Sequence, residues 1–365
     1  MKILLLEPYF TGSHKAWAEG YQSNSSHEIK IISLPGQFWK WRMHGGAITI
    51  AKEFLQSDFI PDLIIATDML DLTTFVSLTK SETADIPTVL YFHENQITYP
   101  WSSLDRDVIE KRDIHYGFIN ISSALAADYV LFNSEYHLES FLSGAKNVLK
   151  HFPDYQELDS IDEIQSKSEI LYLGMDLLQF DSYKEEKKGD PIIVWNHRWE
   201  YDKNPESFFH LLYRLQDENY AFQIVILGEN FQSTPNIFDE AKERLKDRII
   251  HYGYCKDFKE YARWLWKADI LPVTSNQDFF GVSIMEAIYC GVYPILPKRL
   301  TYPELLPNEW HHNHLYDNED GLYELVKLRI KDMKENRTSL NRDWVHKFDW
   351  KSMGEEYDKL FSLYL

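Results

Sequence analysis

Cysteine is nearly absent from this chain: Cys255 and Cys290 are the only two in 365 residues. Two thiols so placed make no disulfide framework and show no metal-ligand spacing, so a reducing compartment fits and no metal is expected. Long apolar runs are missing as well. Residues 1–8, Met-Lys-Ile-Leu-Leu-Leu-Glu-Pro, hold too short an apolar stretch for a signal peptide or a membrane span. The expectation is a soluble, cytoplasmic protein with no membrane partner, in which the Asn-x-Ser/Thr triplets at Asn24, Asn120 and Asn336 carry no meaning. Positive charge is scarce: 38 Lys and Arg stand against 57 Asp and Glu, a net charge of −19. Such a chain repels nucleic acid, because phosphate neutralisation supplies most non-specific affinity. A nucleic-acid partner would have to meet a local basic and aromatic patch. Internal repeats and low-complexity segments are also lacking.

Aromatic residues, by contrast, make up 15% of the chain, with 11 Trp and 23 Tyr. That argues against disorder and suits a globular protein with wide stacking surfaces. The length allows two domains, each burying its own core.

The most informative stretch runs from Asp278 through Phe-Phe-Gly-Val-Ser-Ile-Met to Glu286. An apolar strand over 270–273 and a polar turn over 274–277 precede it. Gly281 permits close backbone approach to a ligand, and 282–290 reads as a helix stopped by Gly291 and Pro294. A further strand covers 293–296. Strand, glycine turn and helix together present free N–H groups to a phosphate. Phe280, Gly281, Val282 and Ser283 sit between two carboxylates able to face one ligand. A second cluster follows the strand over 192–195: Asn196-His-Arg-Trp-Glu-Tyr-Asp-Lys203. The Arg198 guanidinium fork and the Lys203 ammonium make the cation pair that a diphosphate leaving group requires.

Earlier in the chain, 2–6 reads as a strand, 7–15 as a glycine turn and 16–22 as a helix. The turn lacks the three-glycine dinucleotide fingerprint. Strands over 62–66 and 88–92 follow, the second ending in His93, which can hydrogen-bond a sugar hydroxyl, exchange a proton or merely cap the strand. Trp39, Lys40, Trp41 and Arg42 interleave rings with positive charge. They either stack unpaired bases and hold phosphates or pack a loop on its neighbouring helix. Asp105-Arg-Asp107, within a charge-rich stretch over 104–113, lacks a preceding apolar strand and reads as a solvated helix face rather than a metal site. Residues 182–190 carry no apolar pattern and read as a linker.

These segments resemble the retaining glycosyltransferases of the GT-B fold, family 4. The likeness rests on Asp278 to Glu286 followed by Ala-Ile-Tyr-Cys-Gly, on Arg198-x-x-x-x-Lys203, and on the segment over 170–180. Asp278 stands where that family usually has Glu. Phe-Thr-Gly-Ser-His-Lys, Trp-Lys-Trp-Arg and Tyr-Phe-His-Glu-Asn-Gln-Ile-Thr-Tyr-Pro are similar, more narrowly, to the tRNA-queuosine mannosyltransferase group. The resemblance implies an α/β chain with two Rossmann-like domains, an acceptor domain over 1–180 and a donor domain over 181–346, and a helix over 347–365 returning to the first. It implies transfer of mannose from GDP-mannose to the cyclopentene-diol of queuosine in the anticodon of aspartate tRNA, with no cofactor.

By the same resemblance Glu286 holds the donor ribose and Asp278 the sugar, while Gly12 and Ser13 reach the diphosphate. Gly228, Glu229, Tyr254 and Cys255 line the base pocket, and Tyr302-Pro-Glu304 lies near the site. His93, Arg198, Lys203 and Asp278 form the catalytic set. His14, Trp39, Lys40, Trp41, Arg42, Glu94 and Asn95 contact the acceptor. Two other readings stay open: a family-4 enzyme with another nucleotide sugar and a lipid or small-molecule acceptor, and a binding module without catalysis.

Overall fold

A computed structural model describes residues 1–101, 105–110, 115–229, 234–335 and 342–365. Asn336, and residues 104 and 111–113 of the charged stretch, lie outside the described residues. The chain divides into two compact units, Met1–Asp176 with Phe348–Leu365, and Leu177–Lys347.

The first unit is built on six strands: β1 (Lys2–Phe10), β2 (Glu28–Pro35), β3 (Leu63–Thr67), β4 (Thr88–Phe92), β5 (Tyr129–Phe132) and β6 (Ser168–Ile170), in the order β2-β1-β3-β4-β5-β6. Every pairing among them is parallel. Both faces of such a sheet are covered, so β3 and β4 are buried along their whole length as near-continuous apolar runs. β1 is longer than the sequence suggests. It continues through Glu7 and Pro8 to Phe10 by a register shift between Glu7 and Phe10, a place where a proline is tolerated. Thr11 is then the N-cap of a helix, Gly12–Asn24, and the expected long turn shrinks to one residue.

The second unit repeats the plan with β7 (Ile192–Trp195), β8 (Gln223–Ile226), β9 (Ile249–Tyr252), β10 (Ile270–Pro272), β11 (Tyr293–Pro297) and β12 (Leu315–Tyr316), ordered β12-β11-β10-β7-β8-β9. Its core packs Trp195, Phe208, Phe209 and Phe238 between sheet and helices.

The C-terminal helix, Trp350–Ser362, belongs to the first unit. Met175 N–H donates to the Phe348 carbonyl at 2.8 Å and Trp350 N–H to the Met175 carbonyl at 2.9 Å. Trp17 Nε1 donates to the Tyr357 hydroxyl at 3.0 Å. Gly20 and Gly174 make room for the Trp350 indole, which a Cβ on either would meet within 2.4 Å.

Candidate active site

In the second unit, the carboxyl end of β7 and the turn after β10 bring the sequence-predicted groups together. Lys203 Nζ donates to the Gln277 carbonyl at 2.6 Å and lies 3.2 Å from Asp278 Oδ1 and 3.2 Å from Asp202 Oδ2. Burial pushes the Lys203 ammonium down, but Asp278 and Asp202 outweigh it and hold it above its usual range. Burial likewise pushes Asp278 up, and Lys203, His197 and the Tyr302 hydroxyl pull it below its usual value. The Tyr302 hydroxyl donates to Asp278 Oδ2 at 2.7 Å. Arg198 Nη2 lies 3.1 Å from Glu200 Oε2 and 4.0 Å from Asp202. The two cations are thus already matched to carboxylates, and Glu200 and Asp202 are partners that the sequence reading did not single out.

Gly281, at φ +95°, is the N-cap of the helix Val282–Tyr289, and no side chain caps that start. Its backbone conformation is one that L side chains rarely adopt. Asn196 Nδ2 donates to the Ser283 carbonyl at 2.7 Å, and His197 Nδ1 lies 3.3 Å from Ser283 Oγ. Burial lowers His197 to about 4, so the ring is neutral. Glu286 follows one helical turn on. Burial raises it to about 7, and the Tyr261 hydroxyl, donating to Oε2 at 2.6 Å, opposes the rise. Gly228, at φ +97°, lets β8 end against β7, since a Cβ there would sit 1.9 Å from the His197 carbonyl oxygen. Glu229 accepts the Trp199 N–H through its backbone at 3.0 Å. Tyr254 is exposed and Phe280 buried.

Cys255 is buried, its thiol pushed up to about 12 by burial and then by Glu260 and Asp257. It shares a potential metal-ligand cluster with His251 and Glu260, their ligand atoms within 4.8 Å of one another. Counting cysteines alone had not revealed it, because the other two ligands are a histidine and a glutamate. A second such cluster, Glu7, His14 and His93, lies in the first unit.

There, His14 Nδ1 is 3.0 Å from Glu7 Oε2. Burial opposes the charge on His14, yet Glu7 raises it to about 9. An imidazolium has no lone pair for a metal. Its ring lies 4.4 Å from that of His93, which also meets Trp17 edge-on at 4.6 Å. Burial, then His14 and His137, hold His93 well below its usual range. Gly12 and Ser13 occupy the exposed first turn of the helix Gly12–Asn24. Glu94 Oε1 accepts from Gln96 Nε2 at 2.9 Å.

Four expectations change. Asn95 is fully buried, and its Oδ1 accepts the Ile97 and Thr98 N–H groups at 3.0 and 2.9 Å. The side chain shapes this turn, with Nδ2 donating to Thr98 Oγ1 at 3.1 Å. Trp39 to Arg42 are not a loop but the first turn of the helix Trp39–Leu55. Asp105 and Asp107 are not a solvated face: they grip Lys40 Nζ at 2.6 and 2.5 Å, and Asp107 is buried. Lys40 is therefore neutralised, and it also lies over the rings of Trp39 and Trp101 at 5.5 and 4.9 Å. Trp41 is 61% exposed, beside Phe38 at 75%, and Arg42 Nε donates to the Pro35 carbonyl at 3.1 Å.

Residues 2–175 match the family model described as tRNA-queuosine alpha-mannosyltransferase N-terminal, and residues 179–343 match Glycosyl transferases group 1. A Drosophila melanogaster tRNA-queuosine alpha-mannosyltransferase is 34% identical over 330 residues, covering 88% of this chain and 84% of the relative. The chain belongs to the tRNA-queuosine alpha-mannosyltransferase family. Among solved structures, Anabaena HepE in complex with UDP and glucose superposes with a TM-score of 0.67 at 15% identity, covering 100% of both chains. Sucrose-phosphate synthase from Thermosynechococcus elongatus gives 0.73 at 13% identity, covering 100% of this chain and 98% of that one. These likenesses establish the GT-B fold. A queuosine mannosyltransferase family member with this fold is a glycosyltransferase.

Proposed function

We propose that this enzyme transfers mannose from GDP-mannose to the cyclopentene-diol of queuosine in the anticodon of aspartate tRNA, retaining configuration, in the cytoplasm. The observation that carries the reading is the 34% identity to the Drosophila enzyme across most of both chains. The site chemistry supports it.

Loss of the nucleoside diphosphate leaves an oxocarbenium-like sugar and places negative charge on the β-phosphate. Arg198, Lys203 and the uncapped N–H groups at Gly281 supply the compensating positive field. This reading needs no metal. Asp278, ionised and held by Lys203 and Tyr302, orients sugar hydroxyls. Glu286 accepts the ribose hydroxyls, with Gly228, Glu229, Tyr254 and Cys255 around the base. His93 contacts the sugar or the acceptor. The acceptor hydroxyl attacks from the leaving-group side and passes its proton to a phosphate oxygen. Trp41 and Arg42 form the tRNA contact, on a helix start that Lys40 and Trp39 hold in place.

Removing Arg198 takes away a preorganised donor to developing charge, a loss of about 2–4 kcal/mol. Arg198→Ala is expected to lower kcat about 30- to 1,000-fold; an unchanged turnover excludes the role. The donor assignment is tested by titration calorimetry with GDP-mannose and UDP-glucose in parallel. GDP-mannose is expected to bind at least tenfold tighter, and equal or tighter binding of UDP-glucose overturns it.

A further inference from the structure

The richest chemistry without an assigned role lies in the first unit, where β1, β3 and β4 end. Asp68 is the residue after β3 and is fully buried. Its Oδ1 accepts the His93 N–H at 2.8 Å and the Glu94 N–H at 3.4 Å, and its carbonyl accepts Asn120 Nδ2 at 2.9 Å. The carboxyl group is thereby fixed between two strand ends, at the edge where open parallel sheets take ligands. Its Oδ2 is buried and has no hydrogen-bond partner among the described residues, and the same is true of His93 Nε2.

Structural carboxylates in this unit behave otherwise. Asp358 takes bonds on both oxygens, from Tyr21 and Ser25 on Oδ1 and from Ser26 on Oδ2. Asp71 does the same with Thr73 and Thr74. A buried carboxylate oxygen left over is costly unless a ligand satisfies it. The surroundings select that ligand. Glu7 and Glu94 repel an anion, burial pushes the Asp68 carboxyl well above its usual range, and the His14 imidazolium opposes a cation. A neutral hydroxyl, which both donates and accepts, suits both leftover atoms.

We propose that Asp68 is a further substrate-binding residue of this enzyme, its Oδ2 accepting a hydrogen bond from one hydroxyl of a polyol whose neighbouring hydroxyl meets His93 Nε2. The inference rests on the glycosyl-transfer reading above. A sugar ring and a cyclopentene-diol share this chemistry, and the experiment separates them.

Asp68→Asn keeps Oδ1 for the two N–H groups and turns the accepting oxygen into a donor. Transfer kinetics, acceptor-free hydrolysis of GDP-mannose, GDP affinity and melting temperature are measured together. The expected result is a loss of at least 30-fold in kcat/KM for one substrate, with GDP affinity and melting unchanged. Hydrolysis falling in step with transfer assigns the hydroxyl to the donor sugar; transfer falling alone assigns it to the acceptor diol. Values of kcat/KM within twofold of wild type for both substrates overturn the proposal. If the variant fails to fold, wild-type enzyme is given GDP-mannose and queuosine analogues deoxygenated one position at a time. A tenfold loss at one position supports the site, and no loss at any position removes it. Should the wild type hydrolyse GDP-mannose yet leave queuosine tRNA unmodified, the acceptor reading falls and the hydrolysis comparison still decides on Asp68.

Discussion

The proposed contact of Glu286 with the donor ribose would tie donor binding to pH, with Tyr261 setting the midpoint. In the free enzyme the Glu286 carboxyl is raised to about 7 by burial. The folded state therefore binds more protons than the unfolded chain between the ordinary glutamate value and 7. This group's stabilising contribution is present in full at acid pH and is lost as pH rises through about 7. Only the ionised carboxylate accepts both ribose hydroxyls, so GDP affinity should weaken as pH falls through the same range. Tyr261→Phe removes the bond that holds the value down, and the midpoint of GDP affinity should move to higher pH. A midpoint that stays put or moves down contradicts the role. Asp278, Glu286, Arg198 and Lys203 were legible because the members of each pair stand only eight and five residues apart in the sequence. Their partners were not. Tyr302 is 24 residues from Asp278, Tyr261 is 25 from Glu286, and Asp68 is 25 from His93. Only the fold joins such residues, and no local spacing announces them.

At the scale of elements, the strand ends decide where side chains arrive. Gly228 is the tightest point: its positive φ and the 1.9 Å approach of a Cβ to the His197 carbonyl leave a side chain no room. Gly228→Ala should destabilise the second unit by about 2–4 kcal/mol through strain and overpacking, read as a lower denaturation midpoint. An unchanged midpoint would mean that the loop yields freely. Strands β4 and β7 fall where apolar runs place them, since burial on both faces leaves a plain signal. The first strand was cut short in the sequence because Glu7 and Pro8 break the run. Only the register shift against β2 and the pairing of Glu7 with His14 explain their inclusion. The helix start at Trp39 was hidden in the same way, because Lys40 is held by Asp105 and Asp107, 65 and 67 residues on. Trp41 keeps an exposed face there. Replacing it with Ala should cost about 1–3 kcal/mol of tRNA affinity, the worth of one stacked base, while donor hydrolysis is unchanged. Equal loss of both activities would mark Trp41 as structural.

For the molecule as a whole, the last helix completes the first unit, although the entire second unit intervenes in sequence. Its anchor is Trp350, buried against Gly20 and Gly174. Trp350→Ala should lower the stability of the first unit by about 3–5 kcal/mol, visible as a downward shift of one calorimetric transition and not the other. A uniform shift would deny the division of the chain. The family resemblance announced this helix, but its glycine seats on two distant segments were not legible. The central claim, mannose transfer to queuosine, is tested most directly with radiolabelled GDP-mannose and two aspartate tRNAs, one carrying queuosine and one carrying unmodified guanine. The account predicts label on the queuosine tRNA alone; equal labelling of both, or of neither while GDP-mannose remains bound, would contradict it.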